Sequence, residues 1–253
     1  MVRLKMAVKI KMRKNQKKEG AMGNSKGFTL PELLVAMVVT AVITASVYSV
    51  YRSQQKSFLV QDQVAEMQQN LRAALHLMER EIRMAGYDPS GKLSAGIQSM
   101  NSANLRFTQD IHDGVDNDGD GLIDEPDEAG NSDGDVGDPG EDITYLLFDQ
   151  DGDGDLDLCR SEDGGATVQL LAENIDALNF VFRDALGAVT STPSKVRSIQ
   201  ISIVARANRP DLGYENNSSY ANQQGTTILL QQHDAFRREM LSTEVRCRNL
   251  GLI

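Results

Sequence analysis

Two stretches of the sequence have the spacing of a metal-binding loop. Asp116-Asn117-Asp118-Gly119-Asp120-Gly121-Leu122-Ile123-Asp124 reads D-x-D-x-D-G-x-x-D, and Asp149-Gln150-Asp151-Gly152-Asp153-Gly154-Asp155-Leu156-Asp157 repeats that spacing. Hard cations take about six to eight oxygen ligands, and alternate carboxylates in a tight loop converge on one point. Glycine at the sixth position permits the sharp turn, and the seventh residue offers its backbone carbonyl. The expected ligands are Asp116, Asp118, Asp120, Leu122 and Asp124 in one loop, and Asp149, Asp151, Asp153, Asp155 and Asp157 in the other. Between residues 110 and 157 there are 19 carboxylates and no Lys or Arg. Those charges repel one another unless a cation joins them, so Ca2+ in a structural role is the expected cofactor. A solvated acidic loop is the plainer alternative. Asn131, Asp133 and Asp135 form a weaker third set, without Gly at position 136.

Both loops resemble the calcium loops of EF-hand-like and dockerin-like repeats. They lack the bidentate Glu at position twelve, where Asp127 and Arg160 stand instead. An affinity in the extracellular range, about 0.1–1 mM, is the expectation. Little else in the chain could do chemistry. There is no nucleophile elbow, phosphate loop, HExxH motif or triad pattern, so no enzyme is expected. Three His and two Cys are too few for a dedicated zinc cluster. His76 and His112 read as incidental. Cys159 and Cys247 are the two cysteines. In an oxidising compartment a bridge between them would close a loop of about 88 residues and contribute roughly 4–5 kcal/mol in the chain-entropy model. Two buried free thiols are the alternative.

Charge is distributed unevenly along the elements that must carry these loops. The 253 residues have a formal net charge of -10, which argues against nucleic acid as a partner. Aromatics make up 5% and Trp is absent, which argues against a stacking platform for single strands. Residues 1–27 nevertheless hold nine basic side chains and one acid, Glu19. Residues 33–50 then run without a charge. At about 1.5 Å per residue that run can span a hydrocarbon core of about 30 Å, with little to spare. The basic residues ahead of it keep the N-terminus cytoplasmic and send the remainder across the membrane. A cleaved secretory signal and a permanent single-pass anchor are two readings of this segment.

A third reading comes from the junction Lys26-Gly27-Phe28-Thr29-Leu30-Pro31-Glu32. It resembles the type IV prepilin class: a basic leader ending in Gly, then Phe, then Glu at the fifth position after the Gly. The resemblance implies cleavage after Gly27 by prepilin peptidase and N-methylation of Phe28. The apolar segment is then kept, first as membrane anchor and later as the packing core of a filament. A lone carboxylate in lipid costs a few kcal/mol and needs a reason. Glu32 has one if it pairs with the α-amine of Phe28 on a neighbouring subunit. Two unit charges about 4 Å apart attract by about 4 kcal/mol at intermediate dielectric. The segment Met22-Gly23-Asn24-Ser25-Lys26-Gly27 reads as a short leader of its own, so Met22 or Met12 is an alternative start.

Beyond Arg52 the chain is polar but periodic. Val64, Met67, Leu71, Leu75, Met78, Ile82 and Ala85 fall three or four apart, the stripe of an amphipathic helix. No Gly or Pro interrupts 32–85, and Gly86 and Pro89 end the run. One helix of about 55 residues, roughly 80 Å long, is expected. Its second half should lie on a sheet; a coiled-coil dimer is the alternative. Alternation marks strands at Leu178/Phe180/Phe182 and Ile199/Ile201/Ile203, with further strands expected at 104–108, 143–148, 167–171, 226–231 and 243–248. The expected fold is α+β: a long N-terminal helix, half transmembrane and half amphipathic, packed on a mainly antiparallel sheet with acidic loops. Its parts are a leader (1–27), a membrane or filament-core helix (28–51), an arm (52–86) and a β-rich body (87–253) with an acidic insert at 110–157.

Residues 70–89 are similar to the arm end of PilW-type minor pilins and of the related type II secretion pseudopilin J, and residues 171–180, 196–203 and 242–249 are similar to parts of the PilW group. The acidic insert is where the chain departs most from them. The resemblance implies a structural minor pilin in the bacterial inner membrane, with the body in the periplasm and then in a pilus, helping to start its assembly. Its partners would be prepilin peptidase, other pilins and the assembly platform of the inner membrane. A type II secretion pseudopilin, and a calcium-dependent adhesin carried on a pilin stalk, are the alternatives.

Overall fold

Helix α1, Leu30–Met84, is set by what its sequence lacks and by how its ends are closed. No interior Gly or Pro breaks its hydrogen-bond ladder. Pro31 sits in the first turn, where a missing N–H leaves no bond unmade. At the other end Gly86 adopts φ +78°, a left-handed conformation that a side chain disfavours. A Cβ there would also lie 2.5 Å from Leu250 Cδ2. The Met84 carbonyl accepts the Tyr87 N–H at 2.8 Å and the Asn249 amide at 3.2 Å. The computed structural model describes residues 27–89, 91, 93–111 and 136–251.

The chain divides into two units, Met1–Ser53 and Gln54–Ile253. The described part of the first is the N-terminal half of α1. All of its side chains are exposed, among them Val35, Val38, Val42, Ile43 and Val47. It is long and apolar enough to cross a membrane. Its few hydroxyls are consumed internally: Thr40 donates to the Ala36 carbonyl, Thr44 to Thr40 and Ser46 to Val42, at 2.7–2.8 Å. Between residues 33 and 47, therefore, every side-chain hydroxyl already has an acceptor within the helix.

The second unit begins with the arm of α1. Met67, Leu71, Ala74, Leu75, Met78 and Ile82 are buried, and Val64 is half-buried against them. This is the stripe the periodicity predicts. The stripe joins one core with residues of two sheets. The first sheet holds β1 (Ile97–Met100), β2 (Leu105–Thr108), β3 (Asp142–Phe148), β4 (Asp157–Ser161) and β5 (Gln169–Ala172), in sequence order. The second holds β6 (Ile175–Arg183), β7 (Ser198–Arg206) and β10 (Arg238–Arg246), with β7 central. A small hairpin pairs β8 (Tyr220–Ala221) with β9 (Thr227–Leu229). Every strand pair is antiparallel.

The fold is thus α+β, with the long helix expected and two main sheets where one was expected. Strand β7 explains part of the difference. Its alternation predicts one wet face, yet residues 199–205 are all buried. Ile199, Ile201 and Ile203 enter the core. On the other side Gln200 is met by Gln224 at 2.6 Å and by Glu244 at 3.0 Å, and Ser202 by Ser242 at 2.9 Å.

Charged groups fix the arm to the first sheet. Glu81 of α1 is buried and takes Arg160 of β4 in a two-pronged contact, Nη2 to Oε1 at 2.8 Å and Nε to Oε2 at 2.9 Å. The Tyr145 hydroxyl of β3 donates to the same carboxylate. Lower on the arm, Lys56 reaches Asp211 at 3.0 Å. Hydrogen bonds from Arg237 and Lys56 hold the Asp211 carboxyl down at about 2.

Candidate functional site: the N-terminal motif and the aspartate loop

The residues of the N-terminal motif stand in the open. Gly27 and Phe28 are exposed, and nothing lies within 4 Å of a Cβ built on Gly27. Thr29 precedes the first helical residue, and Glu32 lies three positions later. The Thr29 backbone N–H donates to Glu32 Oε2 at 2.9 Å and its hydroxyl to the same oxygen at 2.8 Å. The Glu32 N–H approaches Thr29 Oγ1 at 3.4 Å. This is a capping box, in which side chains satisfy helix N–H groups reciprocally. The sequence carries its signature, Thr-x-x-Glu ahead of an apolar run, and the reading above assigned Glu32 to another partner instead. All of these atoms follow Gly27, so cleavage there would leave the box intact.

The second aspartate loop lies between β3 and β4. Asp149, Asp151 and Asp153 each present a carboxylate oxygen within 4.8 Å of the other two. Gly152 and Gly154 adopt φ +78° and +93°, which lets the chain double back around Asp149. Asp149 accepts the Gly152 and Gly154 N–H groups at 2.8 and 3.2 Å. Asp151 and Asp153 each accept the N–H two residues on, at 3.1 and 2.9 Å. Three oxygen donors of one sign, held by their own backbone, suit a hard cation.

The other two aspartates of this loop go elsewhere. The Asp155 side chain pairs with Arg206. Only its carbonyl was expected to ligate, and the pairing leaves that free to do so. Asp157 is buried as the first residue of β4. It accepts the N–H of Gln150 at 3.2 Å and of Asn174 at 3.1 Å. Its carboxylate therefore closes the base of the loop and is not gathered with the other three. Arg160, at position twelve, turns inward onto Glu81. The first loop, with Asp116, Asp118, Asp120, Leu122 and Asp124, lies outside the described residues, as do Asn131, Asp133, Asp135 and His112.

One residue at the root of the insert escaped the sequence reading. Glu141 is fully buried and accepts the Ile111 N–H at 3.1 Å and the Asp138 N–H at 3.3 Å. Burial pushes its carboxyl up to about 7, and the neighbouring Asp138 and Asp110 add to the rise. Nothing in the local sequence separates it from the surface acids around it.

The expected cysteine bridge is corrected: both Cys159 and Cys247 are buried free thiols. Cys159 lies in β4 of the first sheet, beside the Phe148 carbonyl, and Cys247 follows β10 of the second. Burial raises both thiols, that of Cys247 to about 12. The two residues belong to separate sheets, which sequence separation does not reveal.

Residues 22–48 match the family model described as the prokaryotic N-terminal methylation motif. Among solved structures the chain is similar to a type IV-like pilin from Thermus thermophilus. The two share 13% identity with a TM-score of 0.44, over 72% of this chain and 97% of that one. No curated protein matches the chain.

Proposed function

We propose that this chain is a type IV pilin-like protein, and within that class a structural minor pilin that helps to start a type IV pilus. Prepilin peptidase would cut after Gly27 on the cytoplasmic face, and Phe28 would be methylated. The helix then anchors the chain in the inner membrane, with the body in the periplasm, until the assembly platform draws it into a filament with other pilins. The observation that carries this reading is the methylation motif at residues 22–48, which runs into the uncharged stretch 33–50 of helix α1. Mass analysis of the membrane-extracted chain tests it. A methylated N-terminal Phe28 is the expected result; an intact N-terminus, or a body released without residues 28–51, would sink the proposal.

Glu32 is assigned two roles in sequence. In the single chain it closes the capping box, as the hydrogen bonds from Thr29 indicate. In the filament it would exchange Thr29 for the α-amine of a neighbouring Phe28. Glu32→Ala is expected to insert in the membrane normally and to enter filaments poorly.

The Asp149, Asp151 and Asp153 cluster supports structural calcium binding by the loop, with the first loop as a second site of the same spacing. When bound, the ion would neutralise the carboxylates and stiffen the turn between β3 and β4. Calcium at about 1 mM, within the range of extracellular modules, is expected to raise Tm. Absence of a shift at that concentration, or a shift unchanged in Asp151→Asn, rejects the site.

A further inference from the structure

The body, Gln54–Ile253, carries opposite charges at two places far apart along α1. Around the aspartate loop the surface is acidic. Asp151 and Asp153 are exposed there, and so are Glu66 of α1 and Glu173. The loop is tied to this place by Asp155 on Arg206 and by the Ile175 N–H on the Leu156 carbonyl at 2.7 Å. A small cavity beside it is lined by Glu66, Glu173, Asn174 and Arg206.

The last turns of α1 bring together arginines instead. Arg83, Arg197, Arg246 and Arg248 line one cleft, and Arg80, Arg83 and Arg248 line the next. The Arg248 N–H meets the Arg83 carbonyl at 3.4 Å, which fixes the C-terminal segment against the helix end. The two acids in these clefts are already engaged. Glu79 accepts from Thr243 at 2.7 Å and faces Arg83, while Glu244 holds Ser198 at 2.6 Å and Arg183 at 2.9 Å. Arg80, Arg246 and Arg248 form no ion pair among the described residues. Such a surplus runs against the net charge of -10. From Glu66 to Arg83 is about 25 Å of helix, beyond the screening length of about 8–10 Å at moderate salt.

We propose that the arginine cleft at the end of α1 in one copy docks on the aspartate-loop face of a second copy. Both complementary surfaces are present on this one chain. They lie at different places on it, so the contact is heterologous and leaves one free surface of each kind at the ends of any row. Charge complementarity of this sort sets register and selects the partner. The inference does not depend on processing at Gly27; it uses the carboxylates that calcium would neutralise, so bound calcium weakens the contact and the chelator in the test keeps this face charged.

The experiment uses full-length chains with two different tags, co-extracted in detergent at low salt with a chelator, and measures capture of one tag by the other. One variant is Arg246→Glu/Arg248→Glu, and the second is Asp149→Lys/Asp151→Lys/Asp153→Lys. Each variant paired with itself should be captured at least about fivefold less than wild type. The two variants mixed should recover most of the wild-type signal, because each then offers the charge that the other lacks. That recovery excludes misfolding as the cause of the losses. The contact is overturned by failure of wild type to capture itself, by capture insensitive to both reversals, or by loss without recovery in the mixture. Retention of wild type on immobilised polyphosphate, with no recovery in the mixed pair, would assign the arginine cleft to an anionic polymer instead.

Discussion

The two halves of α1 obey the same backbone rules and face different surroundings. From Leu33 to Tyr48 the helix is apolar all round, and no side chain is covered by the rest of the chain. From Met67 to Ile82 one stripe is buried, and the opposite face keeps charges such as Arg72 and Arg80 in water. Helix propensity does not distinguish the halves; the polarity of the exposed face does. One continuous element thus presents two kinds of surface, and a substitution in one half should leave the other unaffected.

The largest expected effect is on the arm. Glu81→Ala leaves buried Arg160 with only Glu162 as counter-charge and takes the acceptor from the buried Tyr145 hydroxyl, and should cost the body about 3 kcal/mol, read by denaturant melts. Replacing both, Glu81→Met with Arg160→Met, should recover much of that. Leu71→Ala should cost about 2–5 kcal/mol in the same assay, through lost contacts and a cavity. Neither change should alter membrane extraction. Val42→Arg reverses the comparison: it should penalise insertion by about 2.5–3.5 kcal/mol and leave the melting of the body unchanged. If Val42→Arg unfolds the body, the separation of the two halves is wrong. Thr29→Ala should have the smallest effect, about 1 kcal/mol at the helix start. It also sharpens the role of Glu32. Filament entry that survives Thr29→Ala but not Glu32→Ala separates the carboxylate from the cap.

The helix was legible because its signals are local: no Gly or Pro inside, a period of three to four, and a glycine at the stop. Strands β6 and β7 were legible from alternation. Strand β4 was not, because its Arg160 looks like a surface residue until Glu81, far back in the chain, supplies its counter-charge. Strand β10 begins at Arg238, five residues before the expected start, since Arg238 is neutralised by Asp176 of β6 as well as by Asp234 four residues upstream. The aspartate loop divides along the same line. Asp149, Asp151 and Asp153 converge as their spacing predicts, whereas the place of Asp157 is set by Asn174, which only the folded chain brings near. Pairings that span the chain decide which charges are free, and a single sequence does not display them.

The back-bonded hydroxyls of Thr40, Thr44 and Ser46 have a consequence for traffic between phases. Each carries its own acceptor, one turn behind, wherever the helix goes. Passing from a lipid environment into a bundle of like helices, this stretch has no polar bond to surrender and none to find. Hydrogen bonding of these three hydroxyls then favours neither surrounding over the other.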